Sequence, residues 1–475
     1  MTIFRTSARV CLSAISAACL AAPLAAQEAD SDLVEAGRYV ARTADCQSCH
    51  IGPDGTPYAG GKFIETPLGD IMATNITPSR NYGIGGYSED DLKAVLREGK
   101  APDRRLYPAM PYPSYHGMTD EDITALYAYL RTVEPVERAP EGETDLPFPF
   151  NIRTLMVFYN ALAIEDTPPA EDLDAEIARG QYLVDHPGHC GTCHTPRNSL
   201  MMADEDRYLA GTMVQGWLAP NLTSDPVSGL GRWQAEDIAE YLKTGRAMGA
   251  AQAAGPMSEV VHFSTRHMNE ADLMAMARYL KTVPAIASDE QTRPVVAEYP
   301  PAPVPMHEYG SIRKSLGEAL TRTDLAGDEA LYLTHCASCH GVNGEGQAAA
   351  YYPTLRGNGD LRRDNAANLV NVIAHGVEYA APYRAPPMPG FEDDLTNDEI
   401  AQIANYVRIE FGDFTTSALD AADVNAILNP DPELPFLLKY ANWFAWAGII
   451  AVLALLGLIG WAIWRRTQQP AEGRT

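Results

Sequence analysis

The sequence predicts a mainly α-helical chain with three similarly built units in tandem and a single C-terminal transmembrane helix. Three observations carry that reading. A Cys-x-x-Cys-His motif occurs at Cys46–His50, Cys190–His194 and Cys336–His340. Behind each copy, apolar residues recur at helical spacing and at matching offsets, the mark of an internal repeat. Trp443 to Trp464 then runs for 22 residues without a charge, enough to cross a bilayer as a helix.

The motif states its own chemistry. Two thiols three positions apart can add across the two vinyl groups of one porphyrin, and the adjacent His then reaches the iron from the same side. A zinc site would need two such pairs converging on one ion, which three separated motifs fit poorly. The reading is three haem c groups, held covalently by Cys46, Cys49, Cys190, Cys193, Cys336 and Cys339, with His50, His194 and His340 as axial ligands. Of eight cysteines, six lie in the motifs, and Cys11 and Cys19 fall in the N-terminal apolar stretch, so no thiol remains for a structural disulfide. With 62 Asp+Glu against 36 Lys+Arg, a nucleic-acid partner is excluded, because phosphate binding needs clustered cations.

The chain divides on these signals as follows. Residues 1–26 read as a secretory signal peptide, with Arg5 and Arg9 ahead of an apolar run from Val10 to Leu20. Domain 1 spans 27–138, a linker 139–171, domain 2 172–284, a second linker 285–321, and domain 3 322–412. The linkers are rich in proline, as in Leu146–Asn151 and Pro300–Pro303. A juxtamembrane segment, 413–440, leads to the membrane helix at 441–464. Trp443 and Trp446 mark one interface and Trp461 and Trp464 the other. Arg465 and Arg466 follow and predict a cytoplasmic tail at 465–475, with the haem domains in the periplasm at the inner membrane.

Within each unit, a helix precedes the motif, carrying Gly37-x-Tyr39 in the first, Gly180-x-Tyr182 in the second and Gly327 in the third. A middle helix follows, with Leu92, Val95 and Leu96 matched by Ile238, Tyr241 and Leu242 and by Leu369, Val372 and Ile373. It stops at Gly99, Gly245 and Gly376. A closing helix is N-capped by Thr119, Asn269 or Thr396 and carries Tyr129, Tyr279 or Tyr406 at one offset.

Each iron needs a ligand opposite its His. Met388 is the only Met after His340, and it sits in a proline-flanked loop ahead of the closing helix. The equivalent loops supply Met110 and Met257, so these three thioethers are read as the sixth ligands. Met118 and Met268 align with Leu395, and a position that accepts Leu is better read as a hydrophobic staple on Ile123, Leu273 and Ile400. Bis-His ligation is the competing pattern, but the third unit offers no His in the equivalent loop.

With His and Met on every iron no coordination position is open, which favours electron relay over catalysis at haem. The sequence resembles the three-haem cytochrome c subunits of membrane-bound periplasmic dehydrogenases that oxidise alcohols, gluconate, sorbitol or fructose. The segments Leu106–Tyr112, Met118–Asp122, Leu146–Asn151 and Gly255–Val261 carry the resemblance. It implies three tandem cytochrome c domains, no catalytic residue on this chain, a flavin- or PQQ-dependent catalytic partner, ubiquinone as acceptor, and Met110, Met257 and Met388 as axial ligands. Two rivals stand beside it: a cytochrome serving a molybdenum hydroxylase or a terminal oxidase, and a haem peroxidase or reductase in its own right.

Overall fold

The computed structural model describes residues 31–467 apart from 165–172, 248–250, 297–308, 323, 326, 347–351, 378–386 and 432–433. The expected signal peptide and the end of the expected tail lie outside the described residues. In domain 1, α1 (31–43) leads to α2 (Cys46–His50). An antiparallel hairpin of β1 (Phe63–Thr66) and β2 (Gly69–Met72) comes next, then α3 (Glu89–Glu98), the short α4 (Tyr112–Tyr115) and the closing α5 (Asp120–Leu130). The linker carries α6 (Met156–Ala163).

Domain 2 repeats the plan with α7 (Ala175–Asp185), α8 (Gly191–His194), the hairpin β3 (Thr212–Val214) and β4 (Trp217–Ala219), and α9 (Ala235–Thr244). A small pair, β5 (Arg246–Ala247) and β6 (Ala251–Gln252), then leads to α10 (Gly255–Phe263) and the closing α11 (Glu270–Thr282). After α12 (Tyr309–Leu320), domain 3 consists of α13 (Gly327–His335), α14 (Ala337–His340), α15 (Ala367–His375) and the closing α16 (Asn397–Phe411). Then come α17 (Ala421–Leu428), α18 (Phe436–Lys439) and α19 (Ala441–Thr467).

The helix ends fall where the side chains dictate. Thr119, Asn269 and Thr396 each accept a hydrogen bond from the backbone N–H three residues on, at Asp122, Asp272 and Glu399. The middle helices stop because Gly99, Gly245 and Gly376 turn to φ of 57°, 76° and 75°, a conformation with little penalty only for glycine. The apolar residues between these signals form three separate cores. Met118 and Met268 are almost fully buried in the first and second, as staples should be, and Leu395 lies in the third.

The closing helix crosses the first helix at glycine in two of the domains. A Cβ on Gly37 would lie 1.8 Å from the carbonyl oxygen of Ala125, and one on Gly180 would lie 2.0 Å from that of Ala275. Gly327 does not play this part, because its nearest neighbour would be Gln402 Oε1 at 3.9 Å. Domain 3 crosses through aromatic rings instead, with Tyr332 packed on Tyr406 and Phe411 at centroid distances of 5.1 and 5.4 Å.

The third core also extends beyond 322–412. Leu316 and Ala319 of α12 and Val424, Ile427 and Leu428 of α17 pack on it, and Val424 is fully buried. The motif here is local: Asp420 caps α17 with a capping box, and apolar residues follow at i, i+3 and i+4. The terminal helix α19 is 27 residues long, contains an 18-residue stretch with a mean hydropathy of 2.3 and has no buried residue, so it is long and apolar enough to cross a membrane.

Candidate functional site

Each motif His emerges from the same turn with one ring nitrogen already engaged. The Nδ1 of His50 bonds the carbonyl of Thr74 at 2.6 Å, that of His194 the carbonyl of Pro220 at 2.7 Å, and that of His340 the carbonyl of Pro353 at 2.9 Å. A carbonyl can only accept, so Nδ1 carries the proton and Nε2 keeps the lone pair that can bind a metal. Burial lowers the pKa of all three, His194 to about 4, and keeps the imidazoles in the neutral form that ligation requires.

The six motif thiols are free of disulfides. Burial pushes Cys46, Cys190 and Cys336 up to about 12, the reverse of the depressed thiol pKa of a redox-active dithiol. Among the described residues no group of three or more His, Cys, Asp or Glu side chains could hold a metal ion by themselves.

The methionine segments hang from the glycine stop of the middle helix in every domain. Leu106 N–H bonds Gly99 O at 2.8 Å, Ala253 N–H bonds Gly245 O at 2.7 Å, and Val377 N–H bonds Met388 O at 2.9 Å. Met110 packs on the first core together with Cys46, and Met257 packs on the second with Cys190. The expectation of three loops needs one revision: Met257 stands in the first turn of α10, where Gly255 and Pro256 start a helix.

A cavity of about 340 Å³ joins two of these sites. Its lining includes Cys190, Cys193, His194 and Met257 of the second site and Cys336, Cys339, His340 and Met388 of the third, so both motifs and their methionines border one space. His189, His194 and His340 are the imidazoles in this wall. His116 and His267 bond nearby carbonyls instead, and His375 pairs with Glu392 at 3.1 Å. The residues present therefore fit covalently held haem: paired neutral thiols, an oriented imidazole and an apolar chamber.

A cytochrome c family model matches three stretches, residues 34–134, 177–284 and 327–409, one around each motif. The chain belongs to the cytochrome c family. Its relatives include the fructose dehydrogenase cytochrome subunit of Gluconobacter japonicus, 39% identical, with 92% of each chain covered. The cytochrome c subunit of the quinone alcohol dehydrogenase of Gluconacetobacter polyoxogenes is 38% identical over 88% of this chain and 89% of its own. The gluconate 2-dehydrogenase cytochrome c subunit of Pantoea cypripedii is 34% identical over 86% of this chain and 92% of its own. This cytochrome thus carries three haem c groups and is of the three-haem dehydrogenase-subunit type.

Domains 1 and 2 of the cytochrome clasp each other reciprocally. Tyr39 of α1 donates to Asp272 of α11 at 2.7 Å, and Tyr182 of α7 donates to Asp122 of α5 at 2.5 Å. The backbone N–H of Asn269 and of Thr119, the two N-caps, donates to those same hydroxyls. Arg42 reaches Phe263 O and His186 reaches Ser114 O in the same exchanged sense. Equivalent residues contact equivalent residues, the logic of a two-fold interface, here built within one chain. This explains why the Gly-x-Tyr signature occurs in units one and two and is absent from unit three, which has no such partner.

Two residues at this junction were not singled out by sequence reasoning. Asp45 and His189 immediately precede the first and second motifs, and both have positive φ, 49° and 39°. His189 packs edge-on to Tyr115 of domain 1, whose hydroxyl bonds the carbonyl of Ala44 at 2.7 Å. Asp45 is buried, receives the Ser48 hydroxyl at 2.8 Å, and keeps Oδ1 without a partner. Their shared position before the motif is the signal that would have found them. On the far side, Asn368 of domain 3 bonds both the N–H and the carbonyl of Leu218, and Asn371 bonds Gly216 O. Domain 2 is therefore the middle of a 1–2–3 series.

Proposed function

We propose that this cytochrome takes electrons from the catalytic subunit of a membrane-bound dehydrogenase oxidising an alcohol, a sugar or a sugar acid and delivers them to ubiquinone. Its haem domains stand in the periplasm and α19 crosses the inner membrane. The haem irons would be held by His50 with Met110, His194 with Met257 and His340 with Met388. The haem irons supply a one-electron couple; the rest is done by the chain. The carbonyls of Thr74, Pro220 and Pro353 hold each imidazole in one tautomer and orientation. With Met110, Met257 and Met388 as second ligands, no place would remain on the irons for peroxide or oxygen to bind, which sets catalysis aside. Arg246 and Arg363 place guanidinium groups in the wall of the cavity, where each would balance a haem propionate.

The observation that carries this reading is the cavity shared by the second and third sites, because a relay needs neighbouring redox centres without a substrate pocket between them. The reciprocal clasp brings the first site into the same series. The relatives named above, cytochrome subunits of fructose, alcohol and gluconate dehydrogenases, support a dehydrogenase partner; we take that partner to carry flavin or PQQ rather than to be a molybdenum hydroxylase or an oxidase. The test is to purify the complex from detergent-solubilised membranes and add alcohols, sugars and sugar acids in turn. One of them should reduce all three haems, and a ubiquinone analogue should reoxidise them. A complex whose haems respond to none of these, or which contains a molybdenum hydroxylase, would refute the proposal.

A further inference from the structure

Helix α6 presents an apolar face that none of the described residues covers. Met156, Tyr159, Asn160 and Ala163, spaced i, i+3, i+4 and i+7, are half-buried on the side turned to domain 1. Asn160 fixes that side, accepting from the Tyr112 hydroxyl at 2.6 Å and donating to Glu98 O at 2.7 Å. The opposite side carries Leu155, Val157, Phe158 and Leu162, of which Phe158 is 71% and Leu162 59% exposed, and it carries no charge. Other exposed large apolar side chains of the haem domains, such as Leu33, Tyr82 and Leu200, stand singly and need no partner.

Two further observations say what covers this face. The ring of Phe148, a few residues upstream, lies 5.4 Å from that of Trp446 in the first turns of α19. Trp443 and Trp446 form the interfacial aromatic belt of the anchor, so the segment entering α6 lies at the level of the lipid headgroups. The surface beside α6 is also cationic within an acidic chain of net charge −26. Arg153 stacks on Tyr107 and donates to Arg105 O, and Lys100 pairs through its backbone with Arg105.

We propose that α6 is an interfacial membrane-docking element, its Leu155–Phe158–Leu162 face set into an anionic phospholipid bilayer beside the anchor so that domain 1 is held against the membrane. An apolar face with cations at its margin is the composition that binds such an interface. The anchor alone is a single tether about which the haem domains could swing; a second contact fixes their orientation. Because Asn160 joins α6 to Tyr112, two residues from Met110, the methionine side of domain 1 is the side brought toward the lipid. The docking stands whether or not ubiquinone is the acceptor.

The experiment uses the intact complex in native-like liposomes of phosphatidylethanolamine and phosphatidylglycerol. All described cysteines belong to the haem motifs, so an introduced cysteine is the one reactive thiol of the described chain. Phe158→Cys and, separately, Leu162→Cys are labelled with a benzophenone maleimide and irradiated, and the adducts are read by mass spectrometry. Phe444→Cys in the anchor serves as the lipid-facing control and Glu236→Cys on domain 2 as the water-facing one. Phospholipid adducts at 158 and 162, several-fold above those at 236 and comparable to those at 444, are expected. Adducts to the catalytic subunit or to a second copy of the chain would overturn the proposal. So would a yield no greater than at 236 while 444 labels lipid.

Discussion

Replacing Gly37 with Ala tests the helix crossing on which domain 1 is built. The added Cβ would lie 1.8 Å from Ala125 O, 2.4 Å from Ala125 C and 2.8 Å from Tyr129 Cβ. Two of these are backbone atoms that cannot rotate away, so α1 and α5 must part by roughly 1.5 Å in an interior packed at crystal-like density. Overpacking of this severity costs about 3 kcal/mol. Against it, Ala in a helix interior is better than Gly by about 1 kcal/mol. The clash wins, with a net loss of about 2 kcal/mol. For a domain near 100 residues that lowers the melting temperature by roughly 8–15 °C. Calorimetry of the full holo-chain in detergent should show one of its transitions moved down by this amount. Gly327→Asn is the contrast: φ there is 56°, which Asn tolerates, and among the described residues only Gln402 Oε1, at 3.9 Å, lies within ordinary contact of the new Cβ. It should cost under about 0.5 kcal/mol. An unmoved transition in Gly37→Ala, or an equal loss in Gly327→Asn, would refute the assignment of the crossing.

The reciprocal clasp is tested by Tyr39→Phe combined with Tyr182→Phe. Each removes a hydrogen bond to a carboxylate worth about 1.5–3 kcal/mol, so hydrogen exchange should rise in α5 and α11 while α16 stays unchanged. Burial pushes the Asp45 carboxyl up to about 8 from its ordinary value of 3.8, so it is neutral in the folded chain where the unfolded chain has it ionised. Such a group contributes stability below pH about 4 that is lost as pH rises toward 8. Asp45→Asn, which keeps the left-handed backbone acceptable, should therefore match the parent near pH 4 and exceed it by about 1–3 kcal/mol at pH 8 in denaturant titrations. Met388→Ala should leave the third haem covalently attached but open its iron, seen as a new high-spin, CO-reactive component. An unchanged spectrum would remove Met388 as a ligand.

The cofactor, the repeat and the anchor were legible in the sequence because each is a local pattern. Two thiols and an imidazole must be adjacent to reach the vinyl groups and the iron of one porphyrin. A middle helix must end where glycine permits φ > 0, as at Gly99 and Gly245, and a membrane helix must be apolar along its whole length. Register separated core methionines from candidate ligands: a position where Leu395 replaces Met118 and Met268 belongs to the core, and the structure buries both Met residues there. Gly327 misled because distance from the motif was the only cue, and distance does not say whether another helix approaches.

What only the tertiary structure decided lies between elements far apart in the chain. Tyr39 and Asp272 are separated by 233 positions, and no periodicity joins them. The shared chamber of the second and third sites depends on how Asn368 docks on β4, which is a matter of surface fit. The same holds for α6: its sequence lies in a stretch read as a linker, and its apolar face has meaning only once Asn160 turns the other side toward domain 1 and Phe148 meets Trp446. Local chemistry written within one turn or one helix can be read from the residues alone. The order of the three centres and the approach of the α6 segment to the anchor helix arise from contacts that form only when the whole chain has packed.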